Sequence, residues 1–183
     1  PAGSQTGVTK YKISNKNLTK VDGFGLNGLT TLEWKYSVLN AVEEWNESAN
    51  GGYFDYDGTT TVSHSPDSGC TTAQKINLIR VSSPSDPDPI CNTTAARIGN
   101  WRNTCDGQNW MISICSDNNQ TKDKWSIGTL TDTYDFHGIL VHELGHAHGL
   151  QDLFFGNPGA GVMGNANGSL RKRHLYPWDI ECK

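Results

Sequence analysis

No apolar run in this 183-residue chain approaches the roughly 18 residues that span a bilayer, so a membrane-crossing helix is not expected. Basic charge is not in surplus either. The chain has 15 Lys and Arg against 19 Asp and Glu, a formal charge of −4. Nucleic acid asks for a basic stripe, and is not expected as a partner. The one dense basic run, Arg171-Lys172-Arg173-His174, reads as a solvated face. Close C-x-x-C pairs are missing, which removes a thiolate zinc site. Internal repeats, low-complexity blocks and a signal-peptide pattern are lacking as well. The chain starts at Pro1 without Met, as either a processed mature form or a piece cut for expression would. Its length fits one domain that can bury a core around a rigid site.

Five cysteines are present: Cys70, Cys91, Cys105, Cys115 and Cys182. Without metal-type spacing they read as disulfide partners in an oxidising compartment, hence a secreted protein. Short loops close most easily, which favours Cys70–Cys91 and Cys105–Cys115 and leaves Cys182 over. N-x-S/T triplets begin at Asn17, Asn46, Asn92, Asn119 and Asn167. They would be glycosylation acceptors on a eukaryotic secretory route, although a chain rich in Asn, Ser and Thr yields several by chance.

Residues 8–14 read as a strand from their β-branched and aromatic content. Residues 30–47 read as an amphipathic helix, with Leu32, Tyr36, Leu39, Val42 and Trp45 recurring at helical steps. Tyr53–Tyr56 and Thr59–Val62 flank Asp57-Gly58, which is a hairpin signal. Asp55 and Asp57 also hint at a calcium loop, but the ligand series is incomplete and the hairpin is the better reading. Strands are expected at 75–81, 95–102 and 110–116, with a proline-rich loop at 82–89. A polar connection spans 118–132. A second helix is expected from Asp132 or Thr133, either of which can cap it, through Phe136, Ile139, Leu140 and Leu144 to Gly149. Residues 150–168 read as loop, with a last short helix near the C-terminus.

The second helix carries the chemistry. In His142-Glu143-Leu144-Gly145-His146-Ala147-His148-Gly149-Leu150-Gln151-Asp152, the first two histidines are four apart and stack on one helix face. Two imidazoles at that spacing can grip one ion, and zinc takes nitrogen and oxygen ligands in a tetrahedral site. Glu143 is rotated by about 100° from His142 and can reach a water on the open side of the metal. Gly149 can adopt positive φ and end the helix sharply. That turn can swing Asp152 back as third ligand. Three protein ligands leave a position for water, as catalytic sites do. A lone His pair at this spacing is more often structural, and H-E-x-x-H alone does occur by chance. The apolar helix before it and the G-x-x-D extension argue against coincidence here. His148 points to another helix face and reads as structural. His64, His137 and His174 receive the same reading.

H-E-x-x-H-x-x-G-x-x-D resembles the zinc motif of the metzincin metalloproteases. Most of that clan has His as third ligand, and the Asp variant resembles the snapalysin type. A Met-containing turn beneath the zinc is matched by Gly161-Val162-Met163-Gly164. The order of expected elements also fits. The resemblance implies an α+β fold: a twisted, mostly parallel sheet with long helices, an active-site helix, then a small Met-turn subdomain. It implies one catalytic domain over 1–183, with an upper part at about 1–149 and a lower part at about 150–183. A family-like terminal helix would start near Pro177-Trp178-Asp179, with little room before Lys183. No tyrosine stands two residues after Met163, so an astacin-like tyrosine ligand is absent.

The implied function is a secreted zinc endopeptidase with Glu143 as general base and one catalytic Zn2+, while Ca2+ has no support beyond Asp55 and Asp57. The expected partner is a protein or peptide substrate, lying along the edge strand near 95–102, and a monomer is expected. Met163 to Trp178 would wall the pocket beyond the cleaved bond. Two other classes compete. One is a secreted zinc-binding or interaction module without activity, against which Glu143 argues, since a metal holder does not need it. The other is a zinc hydrolase of non-peptide amides or esters, or an enzyme taking Asp179 or Glu181 as third ligand. Peptide and ester screens and mutation of Asp152 separate these.

Overall fold

The computed structural model of the chain describes residues 8–15, 31–48, 53–61, 76–82, 99–103, 109–115, 125–127, 134–152 and 163. Of Thr31, Gly99–Asn103 and Tyr134 only the backbone is described. The elements are β1 (Thr9–Ser14), α1 (Thr31–Ser48), β2 (Phe54–Thr60), β3 (Asn77–Val81), β4 (Gly99–Asn103), β5 (Trp110–Ile114), β6 (Trp125–Ser126), β7 (Tyr134–Asp135) and α2 (Phe136–Ala147).

Strands of mixed Val, Ile and Leu buried on both faces belong in the middle of a parallel sheet, and the chain follows that rule. Every residue of β5 is buried, as is all of β3 after Asn77. The five-stranded order is β2-β1-β3-β5-β4. β2, β1, β3 and β5 run parallel, and β4 lies antiparallel against β5 at one edge. Parallel neighbours need a crossover, which α1 supplies between β1 and β2. α1 and α2 pack together, α1 also against β2, and α2 against β4 and β5. The fold is thus α+β with a mostly parallel sheet.

The face that α1 buries differs from the expected one. Leu32 and Tyr36 are 61% and 57% exposed, while Trp34, Val38, Ala41, Val42 and Trp45 are buried. Trp34, Val38, Ala41 and Trp45 also recur at helical steps. Turning that stripe inward buries two indoles, the largest apolar area available to the helix.

The expected hairpin at Asp57-Gly58 is not formed. Phe54–Thr60 is one strand, parallel to β1. Tyr11 faces Tyr56 and Ile13 faces Thr59, so β2 carries one extra residue at this point. Gly58 takes φ +88°, which only a residue without Cβ adopts freely. A D-G pair serves a bulge as well as a turn. Lys12 Nζ donates to the Asp57 carbonyl at 2.6 Å and pairs with its carboxylate at 2.8 Å. Hydrogen bond and charge from Lys12 hold the Asp57 carboxyl below the usual carboxylate range. Asp57 therefore serves the sheet edge, and Asp55 is a strand residue beside it.

α2 starts at Phe136, later than expected, with Asp135 as N-cap and no side-chain capping bond from it. The backbone stays extended to that point because β7 pairs with β6, a short strand inside the expected polar connection. Cys115 is disulfide-bonded and fully buried. The other four cysteines, His64, the loop at 83–89, the run at 171–174, Asp179, Glu181 and the expected terminal helix lie outside the described residues. Among the described residues, no helix is long and apolar enough to cross a membrane.

Candidate metal centre

α2 reads Phe-His-Gly-Ile-Leu-Val-His-Glu-Leu-Gly-His-Ala, and Phe136 through Gly145 are all buried. A helix apolar nearly all round must sit inside the molecule. The polar groups it carries inward need partners there. Its C-terminus is sealed by a Schellman arrangement. The Leu150 N–H donates to the Gly145 carbonyl at 3.0 Å, and the Gly149 N–H to the His146 carbonyl at 2.9 Å. Gly149 takes φ +96°, as that motif requires. The chain reverses and returns Asp152 to the helix face that carries His142 and His146.

Three ligand atoms converge there. His142 Nε2 and His146 Nε2 are 3.2 Å apart. Asp152 Oδ1 lies 3.2 Å from the first and 3.4 Å from the second. Atoms bound at 2.0–2.1 Å around a tetrahedral ion stand about 3.3–3.4 Å apart, so the triangle is close to one face of such a tetrahedron. His146 Nδ1 lies 2.9 Å from the Leu150 carbonyl. That oxygen can only accept, so Nδ1 carries the proton and Nε2 keeps its lone pair toward the centre. The same bond fixes the ring plane, as an outer contact does in metal sites. With the His142 ring in the same tautomer, two lone-pair nitrogens and a carboxylate this close would repel one another without a cation between them. His142, His146 and Asp152 form a group that could hold a metal ion.

Glu143 is buried, 7% exposed, and is not part of the converging triad. Met163 sits in a turn, 2% exposed, and packs on Gly145. A Cβ on Gly145 would collide with Met163 Sδ, and would stand 3.2 Å from Met163 Cε and 3.1 Å from Trp45 Cζ2. His148 points away from the triad, into the Trp45, Tyr53 and Phe54 rings. His137 is buried at the start of α2.

Sequence reasoning missed the Leu150 carbonyl and Trp45. The indole Nε1 of Trp45 donates to the Val141 carbonyl at 2.9 Å, just before the first histidine. No local signal marks a backbone carbonyl as a ring's partner. A tryptophan on an amphipathic stripe predicts burial, not what its N–H meets. No protein-family model matches the chain, and no curated protein matches it either.

Proposed function

We propose that the chain is a secreted zinc endopeptidase of the metzincin type, with His142, His146 and Asp152 as zinc ligands and Glu143 as general base. The observation that carries this reading is the triad itself, with edges of 3.2, 3.2 and 3.4 Å. Two imidazoles and one carboxylate suit zinc, whereas calcium takes six to eight oxygens. Bound there by His142, His146 and Asp152, zinc would supply a Lewis acid to polarise the scissile carbonyl and acidify the attacking water.

The chain's own residues supply the rest. Glu143, adjacent to a ligand and buried, takes the proton as the water oxygen bonds to the carbonyl carbon. It then delivers that proton to the nitrogen as the C–N bond breaks. His146 is held in its lone-pair tautomer by Leu150. Met163 forms an apolar floor under Gly145 and offers no competing oxygen. β4 stands at the edge of the five-stranded sheet, beside β5, and among the described residues no strand follows it, so an extended peptide can pair along it. The disulfide at Cys115 supports an oxidising compartment and thus secretion.

Casein clearing and peptide-library cleavage, with zinc quantified in the same preparation, test the proposal. The wild-type protein should cleave, and a chelator should stop it. Glu143→Ala should keep about one zinc per chain and lose about 10²–10⁴ in rate. Near-normal turnover by Glu143→Ala would remove the general-base role.

A further inference from the structure

We infer that His148 is a positioning residue for the metal centre, its ring anchoring the chain reversal that brings Asp152 to His142 and His146. The inference rests on the metal-centre reading above and concerns what holds that centre together.

His148 is the C-cap of α2, with φ −83° and ψ −6°. Its backbone N–H is shared between the Leu144 carbonyl at 2.9 Å and the Gly145 carbonyl at 3.1 Å. Side chains two apart on a helix diverge by about 200°, so with His146 facing the triad, His148 faces the opposite way. There its ring lies among three aromatic rings. Centroid distances are 3.9 Å to Tyr53, 5.8 Å to Trp45 and 6.5 Å to Phe54.

That cage is itself fixed by residue 46. Asn46 Oδ1 accepts from the Tyr53 N–H at 2.8 Å and the Phe54 N–H at 3.0 Å. Asn46 Nδ2 donates to the Phe54 carbonyl at 2.9 Å. Its neighbour Trp45 bonds Val141 and packs on His148. The C-terminal end of α1 thus grips α2 at two points, just before the first ligand and just after the second.

Gly149 is exposed, and the Asp152 side chain is 37% exposed. Among the described residues, Asp152 is kept in place by the Schellman pair, the Leu150 carbonyl on His146, and Leu150 against the core. All of these depend on where residue 148 leaves the helix. A ring wedged between Tyr53 and Trp45 sets that exit point. Loss of the ring frees the last turn to fray, and the third ligand loses its pre-set position.

The test compares wild type, His148→Ala and His148→Phe, reading Zn2+ affinity by competition with a chromophoric chelator and the visible spectrum of the Co2+-loaded protein. Thermal unfolding of the metal-free proteins is measured alongside. His148→Ala should bind Zn2+ about 10- to 100-fold more weakly, as for outer-contact changes at metal sites, and give an altered Co2+ spectrum. His148→Phe keeps a ring in the cage and should return affinity to within about threefold of wild type. Equal affinity for wild type and His148→Ala overturns the inference, as does His148→Phe binding as weakly as His148→Ala. If His148→Ala fails to fold, Tyr53→Leu takes its place. It keeps His148 and removes the nearest ring, and unchanged Zn2+ affinity there overturns the inference equally. A wild-type protein that takes up neither Zn2+ nor Co2+ is a different failure, that of the metal-centre reading itself.

Discussion

Replacing Gly145 by alanine sets two opposing effects against each other. In a helix interior, alanine is favoured over glycine by about 1 kcal/mol, so an unobstructed site would become more stable. This site is obstructed. The new methyl would collide with Met163 Sδ and press on Trp45 Cζ2 at 3.1 Å. Methionine has three rotatable bonds and can retreat, but Trp45 is tied to the Val141 carbonyl and cannot. Overpacking of this kind costs about 1–3 kcal/mol, which outweighs the propensity gain. Gly145→Ala should therefore lose roughly 0–2 kcal/mol. Urea unfolding followed by tryptophan fluorescence, disulfides intact, reads the change as a shifted midpoint at constant slope. A cycle with Met163→Ala sharpens the test. Alone, Met163→Ala should cost about 2–5 kcal/mol. In the Gly145→Ala background it should cost at least about 1 kcal/mol less, because the cavity admits the new methyl. A Gly145→Ala protein about 1 kcal/mol more stable than wild type, with an additive cycle, would refute the seating of Met163 on α2.

Gly149→Ala meets no neighbour within 4 Å, so its cost is that of the backbone at φ +96° alone. It should lose about 1–2 kcal/mol and weaken zinc retention, read by denaturation and metal analysis, with Gly149→Asn milder on both counts. Tyr11 Oη is buried with no hydrogen-bond partner among the described residues, so Tyr11→Phe should be neutral or stabilising by about 1 kcal/mol in the same unfolding assay. Burial, then the charges of Tyr56, Asp55 and Glu43, pushes the Tyr11 hydroxyl up well above its ordinary value. Its contribution is complete below about pH 10, where the unfolded tyrosine ionises, and is lost as pH rises beyond it. Tyr11→Phe should flatten that alkaline decline, and an unchanged pH profile would contradict the burial of the hydroxyl.

The triad was legible because it depends on short-range geometry: four residues along one helix, one glycine to reverse the chain, and three more to Asp152. β3 and β5 were legible because interior parallel strands need unbroken apolar runs. Elsewhere one local pattern served two structures. Asp57-Gly58 suits a hairpin turn and a bulge equally, and only the pairing of residues 54–60 with β1 decides between them. On α1 two stripes have helical period, and the choice fell to the one that buries Trp34 and Trp45. Extended backbone at Tyr134–Asp135 follows from a partner strand, not from a capping residue. The cage around His148 joins residues nearly a hundred positions apart, which no window of sequence displays.

Zinc content of Asp152→Ala after exhaustive dialysis decides whether Asp152 is a metal ligand. Asp152 supplies the oxygen corner of the triad, 3.2 and 3.4 Å from the two ring nitrogens. On the proposed ligand set, losing it removes a direct metal bond, which should cost more than the 10- to 100-fold of an outer contact, roughly 10² or more in affinity. Wild-type protein should retain about one zinc per chain and cleave peptides, while the variant, still folded, should emerge without zinc and without activity. An Asp152→Ala protein that holds stoichiometric zinc and cleaves within a few-fold of wild type would contradict the account, and place the third ligand elsewhere.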